Sequence, residues 1–191
     1  MTKNIMIVGV GGQGTLLASK LLGKMLLAKG YDVKVSEVHG MSQRGGSVVT
    51  YVRYSDEKVY SPIIDEGQAD IILSFELLEA ARYTKYLAPD GVIITNTQQT
   101  NPMTVITGAF DYPQEIIEKM KAKGIRVDAF DALSLAEKAG SSKAVNIVLM
   151  GHMAKYFDFT EEEWLKTIET SVPEKFVELN KKAFMLGEEN K

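Results

Sequence analysis

A short apolar run over residues 4–9 leads straight into Gly9-Val10-Gly11-Gly12-Gln13-Gly14, and a helical pattern opens directly behind it. Glycines in Gly-x-Gly-x-x-Gly order between a strand and a helix leave the chain little choice. It must reverse tightly at the edge of a sheet and lay the helix back on that sheet. Leu17, Leu21, Met25 and Ala28, with Leu22 and Leu26 beside them, form one apolar face of helical period, closed by Gly30 just past the end. Residues 31–37 then alternate as a second strand. Read as a βαβ unit, this predicts a second strand paired in parallel with the first through a right-handed crossover.

The rest of the chain continues the alternation of strand and helix. Ser47 to Tyr54 is β-branched and aromatic, and Lys58-Val59-Tyr60 reads as a short returning strand. Residues 69–74 and 92–95 are compact apolar runs of the buried parallel kind, separated by a helix from Glu76 to Leu87 and a turn at Pro89-Asp90-Gly91. A short strand is expected over 104–107, a helix over 113–123, a strand over 125–130 and a helix capped by Asp131. A longer helix spans 143–157. Thr160-x-x-Glu163 is a capping box before Trp164, and Pro173 starts the last helix, with Phe176, Leu179, Ala183 and Leu186 on one face. With 191 residues against roughly 150 per domain, the expectation is one α/β, Rossmann-like domain over residues 1–191. Its mainly parallel sheet is flanked by helices, and its helical C-terminal end, residues 160–187, belongs to it.

Composition removes most chemical tools. There is no Cys, which excludes thiolate iron–sulfur ligation, Cys-based zinc sites, disulfides and a Cys nucleophile. His39 and His152 are the two histidines, too few for a His-rich metal site, and no metal is expected. A formal charge of −3 argues against a broad nucleic-acid surface. No stretch approaches the roughly 18 apolar residues of a membrane span. The N-terminal apolar run is too short and too soon broken by glycine for a signal-peptide core. A cytoplasmic protein without membrane contact is expected.

Two glycine-rich loops carry the functional signal. In the first, Gly9, Gly11, Gly12, Gln13 and Gly14 can either present backbone N–H groups and a helix N-terminus to an anion or simply make a tight turn. Glu37 stands where a dinucleotide-binding domain places its ribose acid. A phosphate-loop reading fails because Thr15, not Lys, follows Gly14. The second loop sets His39, Gly40, Met41, Ser42, Gln43, Arg44, Gly45 and Gly46 after the second strand, on the same sheet edge as the first. Arg44 suits charge-assisted hydrogen bonds to a carboxylate or phosphate. Glu76 and Asn96 follow two further strands onto that rim. Glu76 is either an acceptor for Arg44 or the loop N–H groups, or an acid in the first turn of a helix. Asn96 is either a rim residue or a turn former. Asn146 and His152 read as packed helix residues, and Trp164 and the methionines as core.

Four segments in this order resemble a known family: the Gly-Val-Gly-Gly-Gln-Gly turn, residues 37–47, Ala69-Asp-Ile-Ile-Leu-Ser-Phe-Glu76 with Glu79-Ala80-x-Arg82, and Asn146 to Gly151. The chain is similar to the gamma-type subunits of 2-oxoacid:ferredoxin oxidoreductases. Its His-Gly-Met-Ser-Gln-Arg-Gly-Gly form resembles the small (beta) subunits of the indolepyruvate-type enzymes. The resemblance implies a complex that decarboxylates an oxoacid, forms acyl-coenzyme A and reduces ferredoxin with thiamine diphosphate and iron–sulfur clusters. This chain has no Gly-Asp-Gly thiamine motif and no Cys, so it implies that those cofactors sit on a larger partner subunit. No catalytic residue and no cofactor are then expected on this chain, which meets ferredoxin only indirectly. Its rim would face the partner or the phosphates of coenzyme A. A stand-alone dinucleotide-binding oxidoreductase and a non-catalytic scaffold module stay open as alternatives, as does a homodimer.

Overall fold

The computed structural model describes residues 2–38 and 46–190. Seven of the eight residues singled out in the second loop, His39, Gly40, Met41, Ser42, Gln43, Arg44 and Gly45, lie outside the described residues; Gly46 lies within them. The elements run β1 (Lys3–Val10), α1 (Thr15–Ala28), β2 (Asp32–Val38), β3 (Ser47–Ser55), β4 (Ala69–Ser74), α2 (Leu77–Arg82), β5 (Leu87–Asn96) and α3 (Met103–Ile106). Then come α4 (Ile116–Ala122), β6 (Val127–Phe130), α5 (Ala132–Ala139), α6 (Val145–Ala154), α7 (Glu161–Glu169) and α8 (Val177–Glu189).

The strands form one mixed sheet in the order β2-β3-β1-β4-β5-β6. β1, β4, β5 and β6 are parallel, while β3 is antiparallel to both β1 and β2. The α/β class and mostly parallel sheet are as expected, but the first pairing is not. β2 runs in the direction of β1 without touching it, because β3 fills the place between them. Local periodicity specifies that a segment is a strand and leaves its neighbour unspecified.

Side chains split by the two-residue strand period. Ile5 and Ile7 of β1 join a core with α1, α5, α6, α7 and α8, whereas Met6 and Val8 face a second core with α2 and α4. The buried stripe of α1 is Ala18, Leu21, Leu22, Met25 and Leu26. Leu17 borders it and Ala28 is exposed.

Three local expectations are corrected. Residues 104–107 do not extend a sheet: Val105 and Ile106 N–H groups bond back to the Pro102 carbonyl at 2.9 and 3.0 Å, making the short helix α3. A β-branched run becomes a strand only when it pairs with a neighbour, and residues 104–107 pair with neither edge of the sheet. Pro89-Asp90-Gly91 is absorbed into β5, where the ladder shifts register between Ala69 and Ile71. Residues 58–60 form no strand, and the Val59 N–H bonds to Asp32 Oδ2 at 2.7 Å instead. The capping box at Thr160 and Glu163 is formed on both sides.

The C-terminal helices dock through glycine. A Cβ built on Gly151 of α6 would stand 2.0 Å from the Phe184 carbonyl oxygen, and one on Gly187 of α8 would stand 2.0 Å from that of Val148. The two backbones therefore cross in direct contact. Gly151→Ala must force them apart, at a cost near the top of the roughly 1–3 kcal/mol seen for overpacking. A urea unfolding curve should show that loss.

Candidate functional site

The C-terminal ends of β1, β4, β5 and β6 share one edge of the sheet, with the start of β3 beside β1. The glycine turn sits in the middle of this rim. Gly14 caps α1 at φ +89°, and a Cβ there would lie 2.8 Å from Asn146 Nδ2. A Cβ on Gly9 would lie 2.8 Å from Gln13 Oε1 and 3.0 Å from Phe75 Cβ. The turn is thus wedged between the exit of β4 and the start of α6.

Side-chain amides hold it there. Gln13 Oε1 accepts from the Val10 N–H at 2.8 Å, and its Nε2 donates to the Phe75 carbonyl at 3.4 Å. Asn146 Nδ2 donates to the Gly14 carbonyl at 3.4 Å. Gln13 is therefore engaged within the turn. Gly12 is exposed, with nothing within 4 Å of its Cβ direction. Gly11 donates to the Gly46 carbonyl at 2.9 Å, which ties the first loop to the end of the second.

Two clefts flank the turn. One, of about 320 Å³, lies between the start of α1, the end of β2 and the start of β3, with Glu37, Val48 and Thr50 on its wall. The other, of about 410 Å³, lies between the turn, Gln98 and residues 142–145, including Lys143. No acidic residue occupies the first turn of α1 and no side chain caps it, so the positive end of its dipole is left uncompensated by its own residues. Glu37 accepts from the Ser19 hydroxyl at 3.0 Å. Because β3 intervenes, Glu37 stands one strand further from the glycine turn than in a βαβ unit, about 5 Å more.

Glu76 and Asn96 lie on the rim but are turned inward. Glu76 is 1% exposed and caps α2. Its carboxylate accepts from the Glu79 N–H at 2.8 Å, the Thr100 N–H at 2.9 Å and the Tyr112 hydroxyl at 2.7 Å. Burial and this carboxylate together push the Tyr112 phenol above its usual range. Asn96, fully buried, accepts from the Ala132 N–H at 3.1 Å and donates to the Phe75 carbonyl at 3.4 Å. Its contacts join three strand ends. His152 is 2% exposed, 2.5 Å from Asp128 Oδ2 through Nε2, and packed against Phe130 with the rings tilted by 34° and their centroids 4.5 Å apart. It joins α6 to β6.

The residues missed by sequence reasoning fall in two groups. Glu79 is 3% exposed and accepts from the Ser47 hydroxyl at 2.5 Å and from Arg82 at 2.9 Å. Met103, Ile106 and Phe110 stand 68, 64 and 70% exposed on the loop after β5, against the expectation that the methionines are core. A signal for that loop was available: no charged residue occurs from Val92 to Phe110.

The chain matches the pyruvate ferredoxin/flavodoxin oxidoreductase family over residues 4–189. It belongs to that family. It is 45% identical to the indolepyruvate oxidoreductase subunit IorB of Thermococcus kodakarensis, with 96% of this chain and 93% of that one covered. The Pyrococcus horikoshii subunit of the same name is 46% identical, with the same coverage. Among solved structures, the gamma subunit of a keto/oxoacid ferredoxin oxidoreductase from Geobacter sulfurreducens superposes with a TM-score of 0.71 at 26% identity, covering 97% of this chain and 95% of that one.

As a member of this oxidoreductase family the chain offers few redox ligands of its own. It has no Cys, and among the described residues no group of three His, Asp or Glu is placed to hold a metal. Among the same residues, no helix is long and apolar enough to cross a membrane.

Two outcomes follow from this geometry. With β3 between β1 and β2, calorimetric titration of the isolated chain should give no NAD(H) or FAD binding at micromolar concentration. The second concerns Glu79. Burial pushes its carboxyl up against the opposing pull of Ser47 and Arg82. The folded chain thus takes up this proton at a pH where the unfolded chain is still ionised. Ionisation of Glu79 therefore costs stability at neutral pH, and the cost disappears as pH falls through the folded value. In urea unfolding, the wild type should gain on Glu79→Gln as the pH is lowered from 7 toward the ordinary carboxyl value of 4.5.

Proposed function

We propose that this chain is the small, non-thiamine-binding subunit of an indolepyruvate:ferredoxin oxidoreductase, acting within a complex that oxidatively decarboxylates a 2-oxoacid to acyl-coenzyme A and reduces ferredoxin. All 191 residues act as one gamma-type domain. The anchoring of α8 on α6 through Gly151 and Gly187, with Trp164 of α7 fully buried in the same core, supports counting the C-terminal helices in it. The complex works in the cytoplasm.

The observation that carries this reading is near-full-length identity to named subunits in a chain without cysteine. Decarboxylation needs a carbanion-stabilising cofactor and ferredoxin reduction needs a one-electron carrier. The donor set here fits neither group, so thiamine diphosphate and the clusters belong to the larger subunit. What this chain offers instead is a rim. The cleft beside Gly11, Gly12 and Gly14, under the uncapped start of α1, suits the phosphates of coenzyme A. His39 to Gly46 and the apolar loop bearing Met103, Ile106 and Phe110 suit the partner, since interface cores are poor in charge and rich in Met and Phe.

The test is reconstitution. Oxoacid-dependent dye reduction, with thiamine diphosphate and coenzyme A supplied, should be absent from this chain alone and appear when the larger subunit is added. Turnover by the isolated chain at the rate of the complex overturns the reading. Phe110→Asp, at an exposed position, should leave the thermal midpoint of the chain within about 2 °C, as surface changes do. It should also weaken association with the larger subunit at least tenfold in a sedimentation titration, the loss expected when a central aromatic anchor is removed.

A further inference from the structure

Ser47 stands where β3 begins, paired across the ladder with Val10 at the end of β1. Side chains alternate along a strand. Val48 accordingly lines the cleft on the α1 side, while Ser47 turns to the opposite face and meets α2. There its hydroxyl donates to Glu79 Oε2 at 2.5 Å and lies 3.4 Å from the Tyr83 hydroxyl. The other oxygen of Glu79 holds Arg82 at 2.9 Å. One peptide back along the chain, the Gly46 carbonyl accepts the N–H of Gly11 at 2.9 Å. A buried carboxylate behind the sheet is therefore linked, through one hydroxyl and one peptide, to the glycine turn in front of it.

Stability alone is a poor reason for this arrangement. Glu79 gives up its hydration to a guanidinium that stays half-exposed, and so is only partly compensated for its burial; apolar replacements of buried charges are often neutral or stabilising. An apolar residue at position 79 would extend the adjoining core of Leu77 and Ala80. It could not hold the Ser47 hydroxyl at a fixed place on the rim. Arg82 keeps Oε1 occupied, which leaves Oε2 aimed at Ser47.

We propose that Glu79 is a positioning residue: through Ser47 and Gly46 it fixes the glycine turn against the start of β3, and so sets the shape of the cleft that receives the anionic end of coenzyme A. The inference rests on the subunit reading above. Neither Glu79 nor Ser47 touches the ligand, and both act by holding backbone.

The experiment uses the holoenzyme reconstituted from this chain and the larger subunit. Ser47→Ala should raise KM for coenzyme A about tenfold, the order expected when one hydrogen bond to a charged group is lost. The oxoacid KM and kcat should stay within twofold. Ser47→Thr, which keeps the hydroxyl, should restore KM for coenzyme A. Glu79→Gln should raise it in the same direction, and the double variant should be no worse than the larger single effect, because both lie on one path. An unchanged coenzyme A KM in Ser47→Ala overturns the proposal, as does a uniform loss of activity that Ser47→Thr does not rescue. If the wild-type chains form no active enzyme, the subunit reading fails and this inference fails with it.

Discussion

The carboxylate of Glu76 is almost wholly removed from solvent, yet it accepts hydrogen bonds from three donors that lie far apart in sequence. Its bond to the Glu79 N–H starts α2. Its bonds to Thr100 and Tyr112 tie down both ends of the long loop that follows β5. Three residues later Glu79 reaches the other way, to Ser47 at the start of β3. One helical turn thus sends two carboxylates to two separate parts of the rim. A buried charge is tolerable only when paired or fully hydrogen-bonded. Once it is, each lost partner leaves a penalty of about 1–3 kcal/mol, more for charged groups. The geometry of the rim is specified by groups that cannot relax without that cost.

The glycine turn depends on a similar economy of polar groups. Gln13, Asn96 and Asn146 each spend their amides on backbone atoms around it, and the Phe75 carbonyl receives two of them. The turn is consequently held on its inner side, while among the described residues nothing lies within 4 Å of a Cβ built at Gly12. Those amides make the motif a tight turn on the side facing β4 and α6.

Much of this was legible in the sequence and some of it could not have been. The turn, the period of α1, the capping box at Thr160 and the α/β class follow from patterns within a dozen residues. The place of β3 between β1 and β2 does not, because adjacent positions in a sheet are decided by packing partners elsewhere. Asn146 meets Gly14 across 132 positions, a contact no local spacing announces. Residues 104–107 show the opposite failure: a good β pattern became one turn of helix, with the Val105 and Ile106 N–H groups bonded to the Pro102 carbonyl rather than to a strand. Glu76 was readable as an acid in a first turn, but its second and third partners come from a loop whose path only the fold defines.

The apolar loop raises a question of magnitude. Burying a Met, Ile or Phe side chain fully is worth about 1.5–3 kcal/mol each; Met103, Ile106 and Phe110 are already about one-third buried, so covering the rest supplies roughly 3–6 kcal/mol together. Bringing two proteins together costs about 4–15 kcal/mol in lost motion before any ordering of side chains is counted. The three side chains alone therefore hold a complex weakly at best. Two features shift the balance. The loop is already anchored at Thr100 and Tyr112, so little of its backbone freedom remains to be lost on docking. The absence of charge from Val92 to Phe110 means that covering it strips no ion of its hydration. What is still lacking must come from other parts of the surface that a partner covers. An assembly that used this loop would thus need further contacts beyond its three apolar side chains.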